Sequence, residues 1–183
     1  MKFKTIVIDP PWQLENQATE AAPEYAECFR YETLPLKEIA DMRICALADT
    51  NCHLYLWTVD ALKHEAYDLV ERWGFVAKCE LVWVKMTKWG KPVFGMGNYY
   101  RHQHESCIFA VRGSMRLMRK DLPTVIIGES VRHSQKPSEF YKRVLVASPP
   151  PRLELFARKN RDGFYVWGDD PNIKSADVEV WKC

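Results

Sequence analysis

Short apolar segments rich in β-branched residues alternate along this chain with segments of helical periodicity, and this alternation constrains the fold more than any other feature. The first apolar segment, residues 3–8 (FKTIVI), ends at an Asp-Pro-Pro turn and is typical of a buried strand. Further strands are predicted at residues 53–57, 75–85, 105–111, 124–127, 153–156 and 164–167. Strands separated by helices predict an α/β fold with a largely parallel sheet.

Three segments between these strands have the pattern of helices. The first predicted helix is short and covers residues 34–39. The last one covers residues 136–146, with Pro137 at its first helical position. The second helix is expected to take Thr58 as its N-cap and to end at Gly74. Its apolar residues share one face at 3.6-residue spacing: Leu62, Ala66, Leu69, Val70 and Trp73.

Size and composition indicate one compact unit. The 183 residues are 47% hydrophobic, which is enough for one sizeable core and too little for two ordinary domains. We expect a single domain over residues 1–170 and a C-terminal tail over residues 171–183. No apolar run approaches the roughly 18 residues that span a bilayer, so we expect no membrane partner and a cytoplasmic location. The 6 cysteines include no C-x-x-C pair, so reduced thiols and no metal site are expected.

Charge is unevenly distributed, although the formal net charge is only +2. Residues 85–120 carry eight basic residues and one acid, a balance that suits a polyanion such as nucleic acid and is equally typical of a solvated face. Tyr99 and Tyr100 suit either contact with a base or packing in the core. The basic residues that we expect to contact phosphates are Lys88, Lys91, Arg101, Arg116, Arg119 and Lys120.

The first predicted strand is followed directly by Asp9, Pro10, Pro11 and Trp12, at the sheet edge where ligands bind in folds of this kind. These residue types suit methylation of an amine on an aromatic base, whose lone pair is delocalised into the ring. A carboxylate on Asp9 and the carbonyl of Pro10 can each accept an amine hydrogen, which favours a pyramidal nitrogen with its lone pair facing the electrophile.

The rest of this turn has a matching chemical interpretation. Successive prolines stiffen the backbone, and we expect no N–H nearby to compete for the two acceptors. The ring of Trp12 offers a flat face on which a flipped base can stack. Taken alone, an ordinary Asp-Pro-Pro turn explains the first three residues at least as well.

Placed beside the rest of the chain, these residues resemble the DPPW-type adenine N(6)-methyltransferases, a family typified by the catalytic subunit of the eukaryotic messenger-RNA adenosine methyltransferase, with bacterial and phage relatives. The DPPW at residues 9–12 is the family's hallmark. The resemblance covers roughly residues 5–170 in the family's order. The other similar blocks lie at residues 56–58, 73–75, 81–85, 97–105, 111–113, 133–141, 152–158 and 167–168.

The resemblance implies a Rossmann-like class I methyltransferase fold in permuted order, with the catalytic DPPW ahead of the cofactor-binding strand at residues 153–156. It implies direct in-line methyl transfer from S-adenosylmethionine, leaving S-adenosylhomocysteine, to the exocyclic N(6) amine of adenine in nucleic acid. It further implies that Glu105 orients the base or the backbone, against the alternative of an ion pair with Arg101 or Arg112. The cofactor contacts that it implies are Asp9, Lys136, Arg158 and Asn160.

Two positions depart from the family pattern. Asp169 and Asp170 stand where the family usually has Asn followed by Glu or Gln, and we expect the two carboxylates to accept hydrogen bonds from the cofactor ribose. Eukaryotic relatives contribute an acidic cofactor contact ahead of the catalytic strand. We expect no counterpart of that contact in this sequence, and we therefore expect the adenine moiety of the cofactor to have another partner.

Other activities remain open at this point. A carbon-5 cytosine methyltransferase needs a cysteine beside a proline, which this chain lacks, and enzymes that methylate the cytosine amine more often place Ser before Pro-Pro. DNA is preferred to RNA by similarity to compact prokaryotic and phage members. The alternatives are an RNA adenosine methyltransferase, a catalytically silent nucleic-acid-binding partner subunit and a small-molecule amine methyltransferase. A homodimer or a partner subunit is compatible with each of them.

Overall fold

A computed structural model describes residues 1–14, 32–95, 99–130 and 135–181. Seven strands form one sheet: β1 (Phe3–Ile8), β2 (Ala48–Thr58), β3 (Val76–Met86), β4 (His104–Arg112), β5 (Val125–Glu129), β6 (Arg152–Leu155) and β7 (Tyr165–Trp167). The helices are α1 (Leu36–Asp41), α2 (Ile44–Leu47), α3 (Lys63–Arg72) and α4 (Ser138–Ala147), with a 3₁₀ turn at Asp60–Leu62. Cys28, Cys183 and the family-like residues 97 and 133–134 lie outside the described residues.

The strand order is β5-β3-β4-β2-β1-β6-β7. Strand β4 runs antiparallel to β2 and β3, and the other neighbouring strands are parallel. The predicted α/β class is therefore confirmed, as is the permuted order, because β1 with its DPPW precedes β6 in the chain and pairs with it. One consequence matters for the site: the start of β4 lies at the same sheet edge as the ends of the parallel strands.

Helices α1, α2 and α3 cover one face of the sheet. Ala66, Leu69 and Val70 of α3 are buried there with Ile6 and Ile8 of β1, as their helical spacing predicts. Hydrogen bonds at Gly74, in the left-handed region with φ 80°, end the helix as expected. The predicted N-cap is wrong, because Thr58 donates to the carbonyl of Val59 and the 3₁₀ turn precedes α3. No described helix is long and apolar enough to cross a membrane.

Helix α4 covers the other face. Phe140 and Tyr141 pack there in an aromatic cluster, with the edge of Trp57 against Phe140 at a centroid distance of 4.8 Å. Pro137, predicted as the first helical residue, has ψ 146° and immediately precedes the helix, which begins at Ser138. Trp57, Trp73 and Trp83 are almost fully buried and belong to the core.

Residues 171–181, within the segment that the sequence predicts as a tail, pack against this body. The N–H of Ala176 donates to the carbonyl of Val166 at the edge of β7. Farther on, Val180 is buried, and its carbonyl accepts a hydrogen bond from the N–H of Arg43 at 2.7 Å. This segment therefore links the outer edge of the sheet to the start of α2.

Glycine is required where the ends of β6 and β7 meet. A Cβ on Gly168 would lie 2.3 Å from the carbonyl oxygen of Ala157, far inside contact distance. The N–H of Ala157 in turn donates to the carbonyl of Trp167 at 2.9 Å. The absence of a side chain at residue 168 thus lets the two strand ends close on each other beside Arg158.

We expect Gly168→Ala to lower the free energy of unfolding by about 3 kcal/mol, because the new methyl group forces a backbone shift. Gly74→Ala is the matched control: its site has open space, and only the left-handed φ costs energy, about 1 kcal/mol. Urea denaturation of both variants measures the difference. An equal or smaller loss for Gly168→Ala would show that the two strand ends can separate freely.

Candidate active site

Four charged side chains meet at the carboxyl edge of the sheet. Asp9 follows β1, Lys85 lies near the end of β3, and Glu105 lies at the start of the antiparallel β4. Lys136 comes from the segment that leads into α4. Strands from three different parts of the sequence thus bring acids and bases to one place, as expected for the ligand edge of an α/β sheet.

Lys136 holds this cluster together. Its Nζ lies 2.8 Å from Oδ2 of Asp9 and 3.1 Å from Oε2 of Glu105, and its side chain is only 7% exposed. The same nitrogen lies 5.1 Å from the ring centroid of Trp57. Lys85 pairs with the other carboxylate oxygen of Glu105. Two lysines therefore balance two carboxylates.

The pKa values of Lys136, Glu105 and Asp9 are shifted in different ways. Burial favours neutral Lys136, yet Asp9 and Glu105 outweigh burial and raise the pKa of the ammonium. Burial also works against a charged Glu105, but Lys136 and Lys85 hold the pKa of its carboxyl below the usual value. At Asp9 burial prevails and raises the pKa, against the effects of Lys136 and Arg158. Asp9 is therefore the member of this cluster that takes up a proton most readily.

The close approach of two segments fixes the position of Lys136. Gly128 in β5 has no Cβ, and one built there would lie 2.8 Å from the Cβ of Pro137. The indole N–H of Trp83 donates to the carbonyl of Gly128 at 3.0 Å. A cleft of about 420 Å³, within the usual size range of ligand pockets, opens beside Lys136 between β5 and α4.

The turn after β1 is fixed by backbone hydrogen bonds. The carbonyl of Pro11 accepts from the N–H of Leu34 at 2.8 Å, and the carbonyl of Pro10 accepts from the N–H of Trp12 at 2.9 Å. The expectation that no N–H competes for the Pro10 carbonyl is therefore wrong. A carbonyl oxygen has two lone pairs, so one acceptor position of Pro10 remains for a ligand.

Trp12 does not have the open ring face that the sequence suggested. It is 7% exposed, and its indole N–H donates to the carbonyl of Trp57 at 3.1 Å. A base cannot stack on a ring that is packed into the core, so this part of the expectation is corrected. Trp12 instead attaches the Asp-Pro-Pro turn to the end of β2.

The residues expected to contact a cofactor surround the ends of β6 and β7. Arg158 is close enough to Asp9 to lower its pKa. Asn160 accepts from the N–H of Lys174 at 2.8 Å and donates to the carbonyl of Asn172 at 3.1 Å, so both ends of its amide hold the neighbouring loop. Asp170 accepts from the N–H of Asn172, and Asp169 is exposed.

The basic residues divide into two groups. Lys88, Lys91 and Arg101 lie on the loop between β3 and β4, next to the site. Tyr99 and Tyr100, on the same loop, are 96% and 91% exposed, so the alternative of core packing is wrong for both. Glu105 pairs with Lys85 and Lys136 rather than with Arg101 or Arg112.

The second basic group lies elsewhere. Strand β4 starts at the site and runs away from it, so the segment that follows β4 lies at the opposite edge of the sheet. The nine residues of β4 span roughly 27 Å at a rise of about 3.4 Å per residue. Arg116, Arg119 and Lys120 therefore lie at a distance from the ion-pair cluster, and Arg119 pairs with Asp121. Their contact with phosphates stays a prediction.

Lys85 is a site residue that sequence reasoning missed. It closes the family-like block at residues 81–85, but a lysine that ends a strand is common on protein surfaces. The available signal was its place at a strand end, because that end faces the ligand edge of the sheet. Within the described ranges, no group of three or more His, Cys, Asp or Glu side chains could hold a metal ion.

A Rossmann-like α/β sheet with an acidic Asp-Pro-Pro turn and a buried lysine at its carboxyl edge defines the class of protein that the sequence resembles. In a comparison with known protein families, the MT-A70 family model matches residues 3–170. The chain belongs to this family.

The alignments with individual relatives include most of this chain but very different shares of the relatives' own lengths. The chain is 29% identical over 160 residues to a putative N(6)-adenosine-methyltransferase MT-A70-like of Medicago truncatula, covering 86% of this chain and 24% of that protein. Identity to the type II methyltransferase M.MunI of a Mycoplasma species is 27% over 184 residues, covering 91% of this chain and 77% of that protein. Identity to the mouse N(6)-adenine-specific methyltransferase METTL4 is 28% over 183 residues, covering 92% of this chain and 37% of that protein. The chain thus spans about a quarter of its plant relative.

We expect Lys136→Met to lower the free energy of unfolding by about 2 kcal/mol at neutral pH. This is less than the roughly 3–5 kcal/mol of a fully buried pair, because Asp9 and Glu105 are partly exposed. The loss should shrink near pH 4, since both carboxyls of the variant then bind protons and no longer repel each other. Urea denaturation at both pH values measures it, with the exposed Lys142→Met as control. Equal losses at the two pH values would contradict the shared ion pair.

Proposed function

We propose that this protein transfers a methyl group from S-adenosylmethionine to the exocyclic N(6) amine of adenine in nucleic acid. The observation that carries the proposal is the ion-pair cluster of Asp9, Lys136 and Glu105, directly after β1 at the ligand edge of the sheet. Membership of the MT-A70 family supports it, as do relatives named for methylation of adenine or adenosine at N(6).

The residues around this edge fit the chemistry of the cofactor. The cofactor has a carboxylate, an ammonium, a ribose diol and a sulfonium, and when bound it supplies the methyl group. Arg158 and Lys136 offer cations for the carboxylate, and Asp9 offers a carboxylate close to both. Asp169, Asp170 and Asn160 are the proposed partners for the ribose and the ammonium. The donor set therefore contains both signs of charge that such a molecule needs.

Asp9 is proposed to act on the amine itself. Its carboxylate accepts one N(6) hydrogen, while the remaining lone pair of the Pro10 carbonyl accepts the other, and together they localise the nitrogen lone pair toward the methyl group. As the N–C bond forms and the S–C bond breaks, the nitrogen gains positive charge and must lose one proton. Asp9, whose pKa burial raises, can take this proton before it passes to water.

Lys136 and Glu105 are proposed to position Asp9. The ammonium holds one Asp9 oxygen at 2.8 Å and so fixes the direction of the other. Glu105 keeps the ammonium charged and in place from the opposite side. A catalytically silent partner has no need to maintain such a cluster, which favours an active enzyme over that alternative.

DNA is the proposed polymer. The match to the type II methyltransferase covers 77% of that protein, whereas the match to the plant protein named for adenosine covers 24%. Incubation with labelled donor and either DNA or RNA, followed by digestion to nucleosides, tests base and polymer together. N(6)-methyldeoxyadenosine is expected; labelled cytidine derivatives or no labelled nucleoside would refute the proposal.

We expect Asp9→Ala to reduce methyl transfer roughly 10²-fold or more while the fold and cofactor binding stay mostly intact, because the variant loses an acceptor used in the transition state. Single-turnover rates with saturating donor measure the loss, and calorimetry with the donor measures binding. Asp162→Ala, at an exposed loop position, is the control and should retain the wild-type rate. Undiminished transfer by Asp9→Ala would remove the role given to this residue.

The rate should also fall at acid pH. Asp9 accepts a hydrogen only as the carboxylate, and its raised pKa means that protonation begins at higher pH than for an ordinary aspartic acid. A single-turnover pH profile should therefore show an acid limb above pH 3.8, the ordinary value. Circular dichroism at each pH confirms that the protein is folded. A rate that stays constant down to that value would contradict a protonatable Asp9 in the reaction.

A further inference from the structure

Large aromatic side chains are exposed on one loop beside the site. In the loop between β3 and β4, Trp89 and Phe94 are each 75% exposed, and Tyr99 and Tyr100 are exposed almost completely. Single exposed apolar residues are normal on protein surfaces, but four aromatic rings within one loop indicate a binding surface. We call residues 87–95 and 99–103 the stacking loop.

Backbone hydrogen bonds hold Trp89 at the tip of a tight turn. The N–H of Thr87 donates to the carbonyl of Lys91 at 2.7 Å, and the N–H of Gly90 donates to the carbonyl of Thr87 at 2.9 Å. Gly90 has φ 71°, a conformation that favours glycine. The ammonium of Lys88 lies 4.5 Å from the centroid of the Trp89 ring. One ring face is thus next to a cation, and the ring as a whole faces solvent.

A second ring with a cation lies farther along the stacking loop. The N–H of Gly95 donates to the carbonyl of His102 at 3.1 Å, which brings the two sides of the loop together. The guanidinium of Arg101 lies 5.7 Å from the ring centroid of Phe94. The same unit, an exposed aromatic ring with a cation beside it, therefore occurs twice.

The stacking loop is joined to the catalytic cluster through Lys85. The carbonyl of Lys85 accepts from the N–H of Val93, and its N–H donates to the carbonyl of Gln103, both at 2.8 Å. Its side chain pairs with Glu105, which contacts Lys136. The base of the loop is thus part of the site that holds Asp9.

The charge of the stacking loop suits an anionic polymer. Residues 87–104 include Lys88, Lys91 and Arg101 and no Asp or Glu. Cations with exposed aromatic rings are the combination that binds single-stranded nucleic acid, since every base has a π-face and every nucleotide a phosphate. In a duplex both faces of each base are covered by neighbouring pairs, so such rings find no partner there.

We propose that Trp89 and Phe94 stack on unpaired bases that flank the target adenine, with Lys88 and Arg101 on the adjacent phosphates. This inference rests on the proposed function. It adds the kind of strand that is bound and two contact residues, Trp89 and Phe94, which lie outside the family-like blocks. The stacking loop thereby selects nucleic acid that is single-stranded, or locally melted, around the target base.

Binding of a labelled single-stranded DNA 12-mer, followed by anisotropy, tests the proposal with the whole chain. Trp89→Ala and Phe94→Ala should each weaken binding roughly 5- to 100-fold, as expected for the loss of one stacked base. Trp89→Phe should restore most of the affinity, because a ring remains. Trp181→Ala, which removes a partly exposed tryptophan outside the loop, is the matched control and should bind as wild type does. The same 12-mer as a duplex should bind more weakly, with little effect of either alanine variant.

The outcomes separate this inference from the proposed function. Wild-type affinity in both alanine variants, or equal losses for single strand and duplex, would overturn the stacking proposal even if adenine is methylated. Losses confined to the single strand would support stacking even if nucleoside digestion finds no N(6)-methyladenine, a result that counts against the proposed function alone. Gly95→Ala supplies a third variant that keeps both rings: a Cβ there would lie 2.4 Å from the carbonyl oxygen of His102, so it should also weaken single-strand binding.

Discussion

The ammonium of Lys136, shared between Asp9 and Glu105, is the interaction on which the rest of the site depends. Burial favours the neutral form of this lysine, and both neighbouring carboxylates oppose that effect. Two carboxylates keep the lysine charged, and the lysine with Lys85 keeps Glu105 charged, although burial opposes both. What remains is an Asp9 carboxyl with a fixed orientation and a raised pKa at the carboxyl edge of the sheet.

The antiparallel direction of β4 determines which charged residues reach the site. Because β4 starts at the carboxyl edge, Glu105 joins Asp9, which follows β1, and Lys85, which lies near the end of β3. For the same reason the basic segment that follows β4 lies at the other edge. Strand direction follows from pairing partners rather than from local pattern, so the sequence alone does not show that the two parts of this basic segment lie at opposite edges of the sheet.

Local physics was readable in the sequence, whereas contacts between distant segments were not. The bounds of β1, the face of α3 and the stop at Gly74 follow from spacing and from the conformational freedom of glycine. The four-residue helix α2 has too little periodicity to be predicted. The sequence predicts that Trp12 and the Pro10 carbonyl are open to a ligand. In the structure the indole N–H of Trp12 donates to the carbonyl of Trp57, and its backbone N–H donates to the carbonyl of Pro10. Such tertiary contacts leave no mark on the tetrapeptide.

The most direct measurement is a crystal structure of the wild-type protein with S-adenosylhomocysteine and a short adenine-containing DNA strand. The account predicts the N(6) nitrogen within about 3.2 Å of an Asp9 carboxylate oxygen, with the other oxygen still on Lys136. An adenine bound away from Asp9, or a Lys136 side chain turned out of the cluster in the complex, would contradict it.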